Sequence, residues 1–95
     1  MARAQLIEID LRNISSSEEL HSLLMEALGF PSWYGCNWDA FWDAVTGLVE
    51  MPLKLKLIGW QDFSLRLPRD ARIMKECFTD MEFQFPRFAS EVLYV

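Results

Sequence analysis

Apolar and polar positions alternate from Gln5 to Leu11. Ile7, Ile9 and Leu11 fall on one side and Leu6, Glu8 and Asp10 on the other, and this period of two predicts a first strand. The period then lengthens. Ser15-Ser16-Ser17 offers several N-caps, Glu18 and Glu19 suit the positive end of a helix, and Leu20, Leu23, Leu24, Ala27 and Leu28 follow at helical spacing. Gly29 stops that helix and Pro31 prevents its return. Asn37 is a good cap for a second helix, whose stripe of Trp38, Phe41, Val45 and Leu48 recurs every three to four residues. Gly47 marks its last turn and Pro52 closes the segment. Leu53 to Ile58 alternates again and predicts a second strand with one face less buried.

Gly59-Trp60-Gln61-Asp62 reads as a turn, and Arg66 to Arg69 as a connector around Pro68. Asp70 is placed to cap a further helix through about Glu82, with Ile73, Met74, Cys77, Phe78 and Met81 on its inner face. Phe83 to Phe88 is aromatic but broken by Pro86, so it reads as a loop or a covered crossover. Glu91 to Val95 ends the sequence as a third strand. The order is strand, helix, helix, strand, helix, strand. Helical connections of this length suit parallel neighbours, so the expected fold is a small α/β domain: a three-stranded, mostly parallel sheet packed with helices.

A length of 95 residues, 52% of them hydrophobic, supports one domain spanning 1–95 with one modest core. Met1-Ala2-Arg3-Ala4 runs straight into the alternating segment with no apolar leader, and no apolar run is long enough to span a bilayer. The expected location is therefore cytoplasmic. Cys36 and Cys77 lack metal or C-x-x-C spacing and read as free thiols. Residues 1–51 carry a net charge of −6 and residues 52–95 a net +1. That imbalance disfavours phosphate-backbone binding by the first half and favours a basic partner.

The acidic half also holds the most unusual stretch, Trp33 to Asp43, with three of the four tryptophans. One helical turn separates Asp39 from Asp43, and Thr46 shares their face. Trp38 and Phe41 point to the core side, and Trp42 lies on the shoulder between. A solvated helix face accounts for such a carboxylate pair equally well. A metal-assisted hydrolase using Asp39 and Asp43 lacks a further His, Glu or Asp ligand, and no metal or other cofactor is expected. His21, the lone histidine, reads as a surface or cap-facing residue, and no local signature supports its pairing with Cys36. Walker, G-x-G-x-x-G and G-x-S-x-G motifs are absent from the sequence.

The run from Leu28 to Asp43, continuing through Thr46-Gly47 to Glu50 and Pro52, closely resembles the barstar family, intracellular inhibitors of barnase-like ribonucleases. The shared pattern is aromatic-Tyr-Gly-x-Asn-x-Asp-Ala-x-Trp-Asp, then Thr-Gly and an acid before Pro. The resemblance implies a toxin-blocking immunity protein and not an enzyme, with a basic ribonuclease as partner, the protein being a monomer or half of a one-to-one complex. By position, Asp43 would be the central carboxylate in the nuclease's phosphate pocket and Asp39 a second acidic contact. Trp33 would stack near the nuclease's catalytic groups, and Asn37 would cap the helix at the rim. Trp42 and Gly47 would complete the patch. Leu48 replaces a family Trp. An acidic contact from the later half falls on Asp80, with Glu76 as the alternative. Two other readings stay open: the hydrolase, and an acidic interaction module for some other basic protein.

Overall fold

The computed structural model describes residues 3–95, so Met1 and Ala2, which the reading of the leader used, lie outside the described residues. Strands β1 (Leu6–Asp10), β2 (Lys54–Ile58) and β3 (Glu91–Tyr94) form one sheet in the order β1-β2-β3. Both pairings are parallel, with Ile7 opposite Leu55 and Leu55 opposite Val92. The sheet is thus wholly parallel. Each connection must return the chain to the end of the sheet where the strand began, and helices do so.

Helix α1 (Ser17–Leu28) begins at Ser16, whose hydroxyl accepts from Glu19 N–H at 3.2 Å. Glu19 Oε1 reaches back to Ser15 N–H at 3.1 Å, a reciprocal arrangement displaced by one residue from the usual capping box. Gly29 ends the helix at φ +74°, a left-handed conformation that glycine adopts without strain. Helix α2 (Trp38–Asp43) runs into five π-helical residues, Ala44–Leu48, closed by Val49 N–H to Ala44 O at 3.2 Å. The wider turn rotates Leu48 off the expected stripe and leaves it 46% exposed, whereas Phe41 and Val45 are buried.

Two other elements differ from the sequence reading. The expected turn after β2 is helix α3 (Trp60–Arg66), capped by Gly59 with no side-chain cap. The expected connector is short, because α4 (Pro68–Gln84) starts at Pro68, two residues before Asp70. Proline at the first helical position needs no N–H and already has the right φ. Asp70 is therefore not the cap; it is buried inside the first turn. Phe85 to Phe88 does follow as an irregular segment, but its phenylalanines are exposed and not covered.

Ile9, Leu11, Leu55 and Leu57 from the strands join Leu20, Leu24, Phe41, Phe63, Met74, Phe78 and Met81 from the helices in one buried cluster. Phe41 meets Phe78 edge to face, with centroids 5.6 Å apart, and this contact joins α2 to α4. Cutting a fully buried leucine such as Leu24 back to alanine would cost about 2–5 kcal/mol. The outward sheet face carries Glu8, Lys54, Lys56 and Glu91, in the cross-strand ion pairs Lys56–Glu8 and Lys54–Glu91. At 3.7 and 4.0 Å and well exposed, these pairs add little. Arg3 does more. Its guanidinium donates to the carbonyls of Met51, Pro52, Arg87, Phe88 and Ala89, fastening the approach to β2 to the approach to β3.

Candidate functional site: the acidic face of α2

The segment before α2 is pinned from below. Tyr34 N–H donates to Pro31 O at 2.9 Å, and the Tyr34 ring is buried. Its hydroxyl lies 2.6 Å from His21 Nδ1. Burial pushes the Tyr34 phenol up, with smaller contributions from Cys36 and Cys77, so the phenol stays protonated and hydrogen-bonds with the imidazole. His21 is only 2% exposed and packs against Trp38 with the rings tilted and their centroids 4.6 Å apart, so the surface position expected of it is wrong. Its partners are aromatic rings far along the chain, which no helical period reveals. With Tyr34 turned inward, its neighbour Trp33 stands outward, 71% exposed.

Cys36 adopts φ +52°, a left-handed conformation uncommon for a residue with a side chain. The next residue does cap the helix: Asn37 Oδ1 accepts from Ala40 N–H at 2.7 Å. Asn37 Nδ2 donates to Gly35 O at 3.1 Å. A Cβ on Gly35 would sit 3.2 Å from that amide nitrogen, so glycine keeps the bridge short. The first turn of α2 is therefore fixed at both ends of one asparagine.

Beyond that cap, Asp39 and Asp43 are both exposed. On the neighbouring α4, Asp80 and Glu76 are exposed as well. The half-buried Cys77 thiol of α4 is pushed up to about 11, first by burial and then by the charges of Asp80, Glu76 and Asp39. Trp42 faces another way. It is half-buried, with its ring centroid 6.4 Å from that of Phe85. Gly47 is exposed in the π-helical turn, on the wall of a groove of about 440 Å³ that Thr46, Glu50, Arg87 and Phe88 also line. Asn37 and Trp33 mark one end of the surface and Gly47 the other.

Sequence reasoning missed two parts of this region. One is Asp70, which accepts from Trp38 Nε1 at 2.9 Å and from Ser17 Oγ at 2.5 Å. The other is the aromatic stretch after α4, where Phe85 meets Trp42; its run of phenylalanines about Pro86 was the available signal. Among the described residues, no three His, Cys, Asp or Glu side chains are grouped to hold a metal ion, and no helix is long and apolar enough to cross a membrane.

These features define a class: a small α/β protein that presents an acidic helix, held rigid by its own cap and by buried aromatic contacts. Residues 4–93 match the family described as Barstar (barnase inhibitor), and the chain belongs to that family. The match runs well past the aromatic segment into β3. A Bacillus subtilis (strain 168) protein named "Putative ribonuclease inhibitor YrdF" is 49% identical over 55 residues, which cover 58% of this chain and 60% of that relative. The matched region therefore spans less than two thirds of the relative's length.

Proposed function

We propose that this chain is a ribonuclease inhibitor of the immunity type, a single binding domain working in the cytoplasm and not an enzyme. Its partner is a basic ribonuclease, bound one to one. Asp43 enters the nuclease's phosphate-binding pocket and Asp39 supports it from one turn away. Asp80 or Glu76 of α4 supplies a further acidic contact. Trp33 and Asn37 hold the rim, and Trp42 and Gly47 complete the patch.

One observation carries this reading: two exposed aspartates on the short capped helix of a Barstar-family chain. A nuclease site is a concave cationic pocket suited to phosphate. A rigid helix bearing carboxylates offers that pocket matching charge without a bond to cleave. Fixing the helix beforehand reduces what ordering costs on binding. The chain's net charge of −5 adds long-range attraction that speeds encounter with a basic partner. The barnase–barstar pair is the familiar example of such steering.

The test is inhibition of RNA cleavage by a panel of purified basic bacterial ribonucleases that includes barnase. Stoichiometric inhibition of at least one is expected, with an association rate that falls steeply as salt rises. Failure to inhibit any of them overturns the reading. Calorimetry with magnesium, manganese and calcium covers the hydrolase alternative, which needs tight metal binding that depends on both Asp39 and Asp43.

A further inference from the structure

The acidic helix face is small beside what a stable complex needs. A specific interface takes roughly 20–30 residues and about 800 Å² from each partner. The contacts proposed above involve Trp33, Asn37, Asp39, Trp42, Asp43, Gly47 and one acid of α4, so a larger surface must take part.

The surface adjoining that face is apolar. Phe85 is 40% exposed and Phe88 64%, and the Trp42 ring leans on Phe85. Between Phe88 and the π-helical turn runs the groove of about 440 Å³, walled by Val45, Thr46 and Gly47 on one side and by Arg87 and Phe88 on the other. Its size lies within the roughly 300–1,000 Å³ of ordinary binding clefts. Gly47 leaves it open, since a Cβ there would touch nothing within 4 Å. The groove is also held in shape. Arg3 binds the carbonyls of Arg87 and Phe88 beneath one wall and those of Met51 and Pro52 beneath the other.

We propose that this groove is the second half of the ribonuclease-binding surface, taking an apolar side chain from a loop beside the nuclease's active site; this rests on the inhibitor reading. Two arguments commit it to that occupant. The groove is continuous with the acidic face, because Thr46 and Gly47 lie on the helix that carries Asp39 and Asp43. Its charge also disfavours a second cationic insertion: two arginines, Arg3 and Arg87, line the groove against one acid, Glu50. Aromatic and arginine residues at the centre of an interface carry much of its energy. Phe88 and Arg87 thus set which ribonuclease is accepted, while Asp43 supplies attraction that any basic nuclease site would feel.

The experiment compares wild type with Phe88→Ala, Phe88→Asp and Arg87→Ala against the same ribonuclease panel. Dissociation is followed kinetically, and circular dichroism monitors the fold. Phe88 is mostly exposed and its carbonyl stays available to Arg3, so the variants keep the wild-type fold. Phe88→Ala is expected to speed dissociation about tenfold or more, with the salt dependence of association unchanged. Phe88→Asp is expected to do worse despite its added negative charge, which separates apolar seating from simple attraction. If wild type inhibits and all three variants stay within twofold of it, this inference falls and the inhibitor reading stands. If wild type inhibits no ribonuclease, the inhibitor reading falls and takes this one with it. Sedimentation showing a wild-type dimer that Phe88→Asp dissolves would give the groove to a second copy and overturn the proposal.

Discussion

Trp38 reaches across from α2 and donates its indole N–H to Asp70 Oδ1 on α4 at 2.9 Å. The other carboxylate oxygen accepts from Ser17 Oγ at 2.5 Å. All three residues lie in the first turns of their helices, so one buried carboxylate ties together the starts of α1, α2 and α4. Asp70→Ala would leave the indole and the hydroxyl without this acceptor. The expected loss is about 2–3 kcal/mol, because hydrogen bonds to a charged group are the stronger kind. Urea unfolding measures it, and an unchanged midpoint would show that Asp70 ties nothing together.

At the acidic face the expectation is the reverse, with binding lost and stability kept. Asp43→Ala is expected to weaken ribonuclease inhibition by about 2 kcal/mol or more, as for the residues that dominate an interface. Asp39→Ala should weaken it less. Removing either of two like charges one turn apart relieves a few tenths of a kcal/mol of repulsion, so neither variant should unfold earlier. Inhibition constants and melting temperatures measured on the same samples decide this. Equal inhibition by Asp43→Ala and wild type would remove Asp43 from the site.

The two thiols should differ sharply in reactivity. Cys36 is exposed, whereas Cys77 is half-buried with its thiol pushed up to about 11. At pH 8 a chromogenic disulfide reagent should consume one thiol in the folded protein and the second only in denaturant, since the thiolate is the reacting form. Because folding raises the Cys77 value above its ordinary 9.0, the associated stability is complete below pH 9 and lost as pH rises through about 11. Rapid consumption of both thiols in the folded state would contradict the buried placement.

His21 gives an acid-side dependence. Burial lowers its pKa from 6.5, opposed by the charge of Asp70. The unfolded chain then binds a proton before the folded one does. Stability is complete above about pH 6.5 and falls as pH drops below it. His21→Gln keeps a hydrogen-bonding side chain beside Tyr34 and should flatten the profile between pH 7 and 5. Chemical denaturation at several pH values tests this, and a parallel wild-type and variant profile would assign the slope to other groups.

Much of this was legible in the sequence, and the exceptions share a cause. The alternation of Gln5–Leu11 and Leu53–Ile58, the serine and asparagine caps and the glycine stop are local signals, and they gave the strands, α1, α2 and the parallel sheet. Helix α3 was hidden because seven residues after a glycine carry neither a side-chain cap nor two turns of clear periodicity. Asp70 looked like a cap because capping preference is local, while its actual donors, Ser17 and Trp38, are 53 and 32 residues away. Leu48 left its stripe because one π-helical turn breaks the 3.6-residue period on which the stripe was drawn. Asp39 and Asp43 were legible as an exposed pair. That α4, with Asp80 and Glu76, packs beside α2 through Phe41 and Phe78 was not legible, because that contact joins residues 37 apart.

The carbonyls that Arg3 holds come from residues 51–52 and 87–89, so its hydrogen bonds wait on almost the whole of the chain. During synthesis the strands emerge in the same order in which they lie side by side, and the sheet can grow one strand at a time. The residues of the α2 cap, Asn37 and Ala40, are made early, but the partners that hold the helix, Asp70 for Trp38 and Phe78 for Phe41, come much later. The groove wall under Phe88 closes near the end. The helix bearing Asp39 and Asp43 and the wall under Phe88 thus both wait for the second half of the chain, so the two parts of the proposed binding surface are completed together.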